Sequence, residues 1–114
     1  MKFLVLHYFD ESELDVEAED GTTPADRERD AWVEEMEASG VKLHGGRLRP
    51  TRETVTLRIR DGERLLTDGP FAETKEQIAG FNVLECHSLE AAIEIAARHP
   101  TAPWGTFELR PFWE

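Results

Sequence analysis

The chain has 114 residues, enough for one domain over 1–114 with a real core, and short enough that association of copies often adds stability. Its 39% hydrophobic and 32% charged residues describe a globular protein, and no apolar run approaches the roughly 18 residues that span a bilayer. The net charge of −11 is concentrated in residues 10–40, where 13 acids meet 2 bases, so that face would repel nucleic acid; the remainder balances.

The start, "MKFLVLHYFDE", lacks a small-residue cleavage site and reads as a strand rather than a signal peptide, which gives a cytoplasmic location as the expectation. In Lys2 to Phe9 the residues Phe3, Val5, His7 and Phe9 alternate with Leu4, Leu6 and Tyr8, and both sets are apolar enough for a strand covered on two faces. Residues 10–22 form an acidic loop. Thr23-Pro24 then starts a helix, with Thr23 as N-cap and Asp26 in the first turn. That helix runs to about Ser39, with Ala25, Trp32, Val33 and Met36 sharing one side, and Gly40 stops it.

Val41 to Leu48 is a strand in which Gly45-Gly46 predicts a bulge or bend, and Pro50 closes it. "TVTLRIRDGERLL", residues 54–66, is a hairpin turning at Asp61-Gly62. Six arginines between Arg47 and Arg64 read as exposed strand residues, or as a patch for an anion or an acidic partner. Residues 67–80, "TDGPFAETKEQIAG", form a charged loop that overhangs one end of the sheet. Phe81 to Cys86 is the next strand. Ser88 caps a second helix whose buried side is Leu89, Ala92, Ile93 and Ala96, and Thr106 to Trp113 is the last strand, with Phe107 and Leu109 inward. The lone Cys86 rules out an internal disulfide and reads as core.

The order β-α-β, hairpin, β-α-β predicts an α+β, ferredoxin-like fold with an inserted hairpin. Helices cover one sheet face. The other needs a cover too, as do Trp104, Phe112 and Trp113, and a second subunit whose sheet faces the first supplies it: a homodimer is expected.

"DGPFAETKEQIAGF" resembles the signature of the YCII-related domain family in its DGPF subgroup. "MKFLVLHY", "GVKLHGGRLRP", "TVTLRIRDGERLLTDGPF" and "SLEAAIEIAARHP…GTFELRPF" resemble that family in the same order. The resemblance implies a ferredoxin-like domain pairing into a dimeric α+β barrel, similar in fold to muconolactone isomerase-type proteins and small monooxygenases. Subgroup members often sit beside extracytoplasmic-function sigma factors, which implies a regulatory role. Some YCII proteins have a proposed catalytic His–Asp pair with the His on the first helix. Residues 24–39 contain no histidine, so that pair does not carry over, and only Asp68 transfers as a motif residue.

Asp68 is structural if its carboxylate accepts backbone amides of its own turn, and functional if it stands at a pocket rim as base or ligand anchor. Glu73 and Lys75 are either solvated loop charges or site residues, and Phe71 is expected to anchor the loop by burial. His7 reads as a hydrogen-bonded core histidine or a general base; His44 adjoins Gly45-Gly46, where backbone can approach a ligand. His87 and His99 read as helix-end residues, His99 favoured there by the helix dipole. The histidines lack metal spacing, and no nucleotide or serine-hydrolase motif is present, so neither metal nor cofactor is expected. Three function classes stay open. One is a ligand-binding or regulatory accessory protein with a pocket between the sheet and loop 67–80. Another is a cofactor-free isomerase or lyase using Asp68 with His7 or His44, and the third is a structural protein-interaction module.

Overall fold

The computed structural model describes residues 1–13 and 23–114; the acidic loop expected at 10–22 lies mostly outside the described residues. The elements are β1 (Lys2–Phe9), α1 (Pro24–Ala38), β2 (Lys42–Arg47), β3 (Val55–Arg60), β4 (Glu63–Asp68), β5 (Gln77–Glu85), α2 (Leu89–Ala97) and β6 (Thr106–Pro111), with short 3-10 turns at Glu11–Glu13 and Thr51–Glu53. An antiparallel four-stranded sheet has the order β2-β5-β1-β6, and β3-β4 is a separate two-stranded sheet. Two helices on a sheet of this order, with a hairpin inserted between its second and third strands, make the fold ferredoxin-like α+β. No helix among the described residues is long and apolar enough to cross a membrane.

The alternation in β1 sets the layers. Phe3, Val5, His7 and Phe9 are buried, while Leu4, Leu6 and Tyr8 on the other face are half-buried. Phe3 and Val5 join Trp32 and Met36 of α1, Leu84 of β5, and Ala92, Ile95 and Ala96 of α2 in one core. The Trp32 indole Nε1–H donates to the Ile95 carbonyl at 3.1 Å and ties the two helices together. α1 begins in a reciprocal cap: the Asp26 amide donates to Thr23 Oγ1, and the Thr23 amide and hydroxyl donate to Asp26 Oδ2. This cap buries Asp26 and leaves Ala25, expected on the inner side, exposed.

Several expectations are corrected. β2 pairs with β5 without interruption through Gly45 and Gly46, so the glycines make no bulge there. The irregularity sits in β5 instead: His7 pairs with Gly80 and Tyr8 with Ile78, which leaves Ala79 as the extra residue. The stretch 67–80 is only in part a loop, because Thr67-Asp68 end β4 and Gln77 already begins β5. α2 buries Ala92, Ile95 and Ala96, whereas Leu89 and Ile93 are exposed by 44% and 47%. Two alanines let this short helix lie close to the sheet, and close approach outweighs the larger side chains in choosing its face. The last strand stops at Pro111, on a sheet edge where a missing N–H is tolerated, and Trp113 is fully exposed.

The hairpin turns as expected: Asp61 and Gly62 have φ of 52° and 78°, the pair of positive values that a two-residue turn of this hand requires. It stands away from the body. Val55, Leu57, Ile59 and Leu66 are all exposed, and the radius of gyration is 16.0 Å, against roughly 13 Å for a compact chain of this length.

Candidate functional site

Two glycines on the helix side of the sheet create the main concavity. The cross-strand rows there read Val5–Asn82–Gly45 and His7–Gly80–Arg47, so two of the six positions carry no side chain. Neither glycine is replaceable at no cost. A Cβ on Gly45 would lie 2.2 Å from the Phe81 carbonyl oxygen, and one on Gly80 3.1 Å from that of Gly46. α1 bridges over this depression, and the segment after α2 closes one end. The result is a cavity of about 390 Å³, a volume typical of small-ligand sites.

Most of its wall comes from five regions. β1 supplies His7 and Phe9, α1 supplies Arg29 and Val33, and β2 supplies His44 and Arg47. β5 supplies Ala79 to Asn82, and the segment after α2 supplies His99, Thr101 and Trp104. Phe9 and Trp104 meet at 5.0 Å between ring centroids and give an apolar corner.

The floor is a histidine pair. His7 and His99 pack edge to face at 4.8 Å, His7 stacks on Phe107 at 4.3 Å, and Trp32 packs its edge against His99 at 4.8 Å. His99 Nδ1 accepts from the Thr101 amide at 3.2 Å and lies 2.9 Å from its hydroxyl. An accepting Nδ1 makes this the neutral ring with the proton on Nε2. Burial, then His7, then the charge of Arg29 push its pKa down to about 4. Burial also lowers the His7 pKa; the Asn82 side chain opposes this and Arg29 adds to it. Both rings are therefore neutral near pH 7. The dipole-stabilised cation expected at His99 is not what this surrounding favours, because burial outweighs the helix end. His7 Nε2 is buried and has no hydrogen-bond partner among the described residues. The narrow void beside it, at Val5, Leu84 and Ala96, is too small for a water. An unpaired buried nitrogen costs on the order of 1–3 kcal/mol of stability.

Asp26 holds Arg29. Its Oδ2 serves the helix cap, and its Oδ1 accepts from Arg29 Nη2 one turn later. A carboxylate that is almost fully buried thus fixes a cation on the wall above the histidines. Glu11, also at the wall, is already engaged by Thr51, whose amide donates to its carboxylate at 2.9 Å and whose hydroxyl donates at 2.6 Å.

With this geometry in place, sequence comparison gives the family. The YCII-related domain matches residues 1–114. The chain belongs to the YCII-related family. It is similar to "Uncharacterized protein R00369" of Rhizobium meliloti (strain 1021), 36% identical over 113 residues that cover 97% of this chain and 91% of the relative.

Within this YCII-related chain the residues singled out from sequence are spread over two places. His7 and His44 both border the cavity, but His7 shares the helix-side row with Gly80, whereas His44 pairs with Val83 in the row of Leu4 on the opposite face. Asp68 does not line the cavity. It is exposed at the end of β4, opposite Val55, and the hydrogen bonds of the adjoining turn run from the Gly69 amide to the Thr54 carbonyl and from the Thr56 hydroxyl to the Gly69 carbonyl. Phe71, Glu73 and Lys75 are likewise exposed and off the cavity wall; Phe71 is 79% exposed, so the loop is not anchored by its burial within the protomer. The motif stretch reaches the cavity only through Ala79, Gly80 and Phe81. Sequence reasoning missed Arg29, Asn82, Thr101 and Trp104 and read His99 only as a helix end. The signal for Arg29 was its spacing, three residues after a capping Asp.

Proposed function

We propose that this chain binds a small organic ligand in the cavity between α1 and the sheet, as a homodimer with an accessory, regulatory role of the kind the DGPF resemblance implies. The observation that carries the ligand reading is the cavity of about 390 Å³ itself, floored by two neutral histidine rings and walled in part by aromatic side chains. Aromatic walls at Phe9 and Trp104 supply the apolar contact such a ligand needs.

The dimer reading rests on a different surface. A two-stranded hairpin is marginal on its own in water, and β3-β4 exposes Val55, Leu57, Ile59 and Leu66. A second copy covering this arm and the half-buried Leu4, Leu6 and Tyr8 face removes that apolar area from water. A cytoplasmic setting is part of the same proposal.

The test for the ligand is a thermal-shift screen of small organic acids, alcohols and amines against the wild type and Val33→Trp, which fills the cavity from α1. A compound at 100 times its Kd adds about 2.7 kcal/mol of stability. Compounds that stabilise the wild type and leave Val33→Trp unmoved support the cavity. If every active compound stabilises both proteins alike, the ligand site is elsewhere.

A further inference from the structure

We propose that two copies associate by exchanging arms: the apolar face of each β3-β4 hairpin lies on the outer sheet face of the other copy, over Leu4, Leu6 and Tyr8. This rests on the dimer reading above and adds which surface meets which.

The arm has two unlike faces. Its rungs pair Val55 with Asp68, Leu57 with Leu66 and Ile59 with Arg64, so Val55, Leu57, Ile59 and Leu66 share one side. All four are more than half exposed. The rungs between them pair Thr56 with Thr67, Arg58 with Leu65 and Arg60 with Glu63, which makes the other side mostly polar. Alternation this regular suits a strand pair that lies on an apolar surface. The arm's own sheet does not supply that surface, because β3 and β4 pack on each other and stand off from the body.

The outer sheet face has the matching shortage. Leu4, Leu6 and Tyr8 of β1 pair with Val83, Phe81 and Ile78 of β5, which makes an apolar strip two strands wide. Both helices pack on the opposite face, with Phe3 and Val5. The arm strip from Val55 to Ile59 and the sheet strip from Leu4 to Tyr8 each run about 14 Å, so one arm covers one strip.

Charge and area favour a second copy as the occupant. The apolar face of the arm is bordered by Asp68 and Arg64, and the sheet strip by Glu108 in the row of Leu6 and Arg110 in that of Leu4. Each surface thus brings one acid and one base. The exposed acids of α1, Glu28, Glu34, Glu35 and Glu37, belong to the helix side, away from this contact. The chain exposes 8224 Å² of surface, where a compact monomer of 13.0 kDa exposes about 6,300 Å². The excess is larger than the roughly 800 Å² that each partner buries in a standard interface.

The experiment mixes two variants. One carries Leu57→Lys with Leu66→Lys in the arm, and the other carries Leu6→Glu in the sheet strip. Ile78→Glu, at an exposed position of the same strip, takes the place of Leu6→Glu if circular dichroism shows that variant to be unfolded. Native mass spectrometry at micromolar concentration, with one variant isotopically labelled, separates homodimers from heterodimers. Each variant alone is expected to be monomeric. The mixture is expected to form a heterodimer at least about tenfold tighter than either homodimer. In it the lysines of one arm meet the glutamate of the other copy's strip, and the unchanged arm meets the unchanged strip. An arm variant that dimerises alone points to sheet on sheet, and a strip variant that dimerises alone points to arm on arm. Either result overturns the exchange and leaves the dimer standing. So does a wild-type dimer whose two variants fail to associate when mixed. A wild-type chain that is monomeric at that concentration removes the dimer and the exchange together.

Discussion

His7 of β1 and His99, just past the end of α2, meet edge to face at 4.8 Å, joining the central strand to the segment that closes the cavity. Both rings are favoured neutral, and this has a measurable consequence. An unfolded histidine takes up a proton near pH 6.5, whereas folded His99 does so only near 4. Between those values the unfolded chain binds more protons, so stability rises with pH across the window and is flat with respect to His99 above it. Acidifying from pH 6.5 to 4 should cost roughly 2 kcal/mol through His99, after allowance for solvent at the cavity mouth. Urea midpoints measured along that range, with His99→Gln as the comparison, should show a slope in the wild type that the variant largely lacks.

Gly45 and Gly46 are neighbours in β2 with opposite tolerance. A Cβ at Gly45 would run into the β5 backbone, and one at Gly46 meets nothing within 4 Å. Gly45→Ala should destabilise by about 2–3 kcal/mol, because backbone must move, and Gly46→Ala should stay within about 0.5 kcal/mol. Chemical denaturation of the pair checks this directly.

The exposed arm gives a prediction about mass. Light scattering at micromolar concentration should return about twice the 13.0 kDa of the chain. Leu57→Lys with Leu66→Lys, which pair across the hairpin, should shift the protein toward the monomer. A wild-type protein already monomeric at that concentration would remove the dimer from the proposal.

Asp68 separates the two readings of the motif. It is exposed and opposite Val55, so Asp68→Asn should change stability by less than about 0.5 kcal/mol. Under the cavity reading the same variant binds cavity ligands as the wild type does. A binding loss in Asp68→Asn would instead bring the β4 end, from the same or a second copy, into the site.

The layers of the fold were legible because they follow from period and punctuation. The alternation of β1, the Thr23-Pro24 helix start and the Asp61-Gly62 turn each appear where local rules put them. What failed were choices made by tertiary contact. Nothing local says that α2 will present Ile95 rather than Ile93, since both lie near one apolar stripe and the sheet decides between them. The cavity was illegible for a related reason. It is made by missing side chains at Gly45 and Gly80, which share a wall only through the register of β2 and β5. Its floor pairs residues 7 and 99, far apart in sequence, and its main cation is set by a carboxylate whose capping role hid a second one.

The extra residue in β5 bears on how the wall can vary in size. Ile78 faces Tyr8 and Gly80 faces His7, with Ala79 inserted between those two rungs. Removing Ala79 would bring the same partners into consecutive register, so no side chain downstream or upstream would change face. The Leu48 amide, which donates to the Ala79 carbonyl at 2.8 Å, would lose that acceptor, and the strand would shorten where it borders the cavity. The strand thus carries one link of slack at the cavity wall, and its length there can be trimmed while the histidines beneath stay where they are.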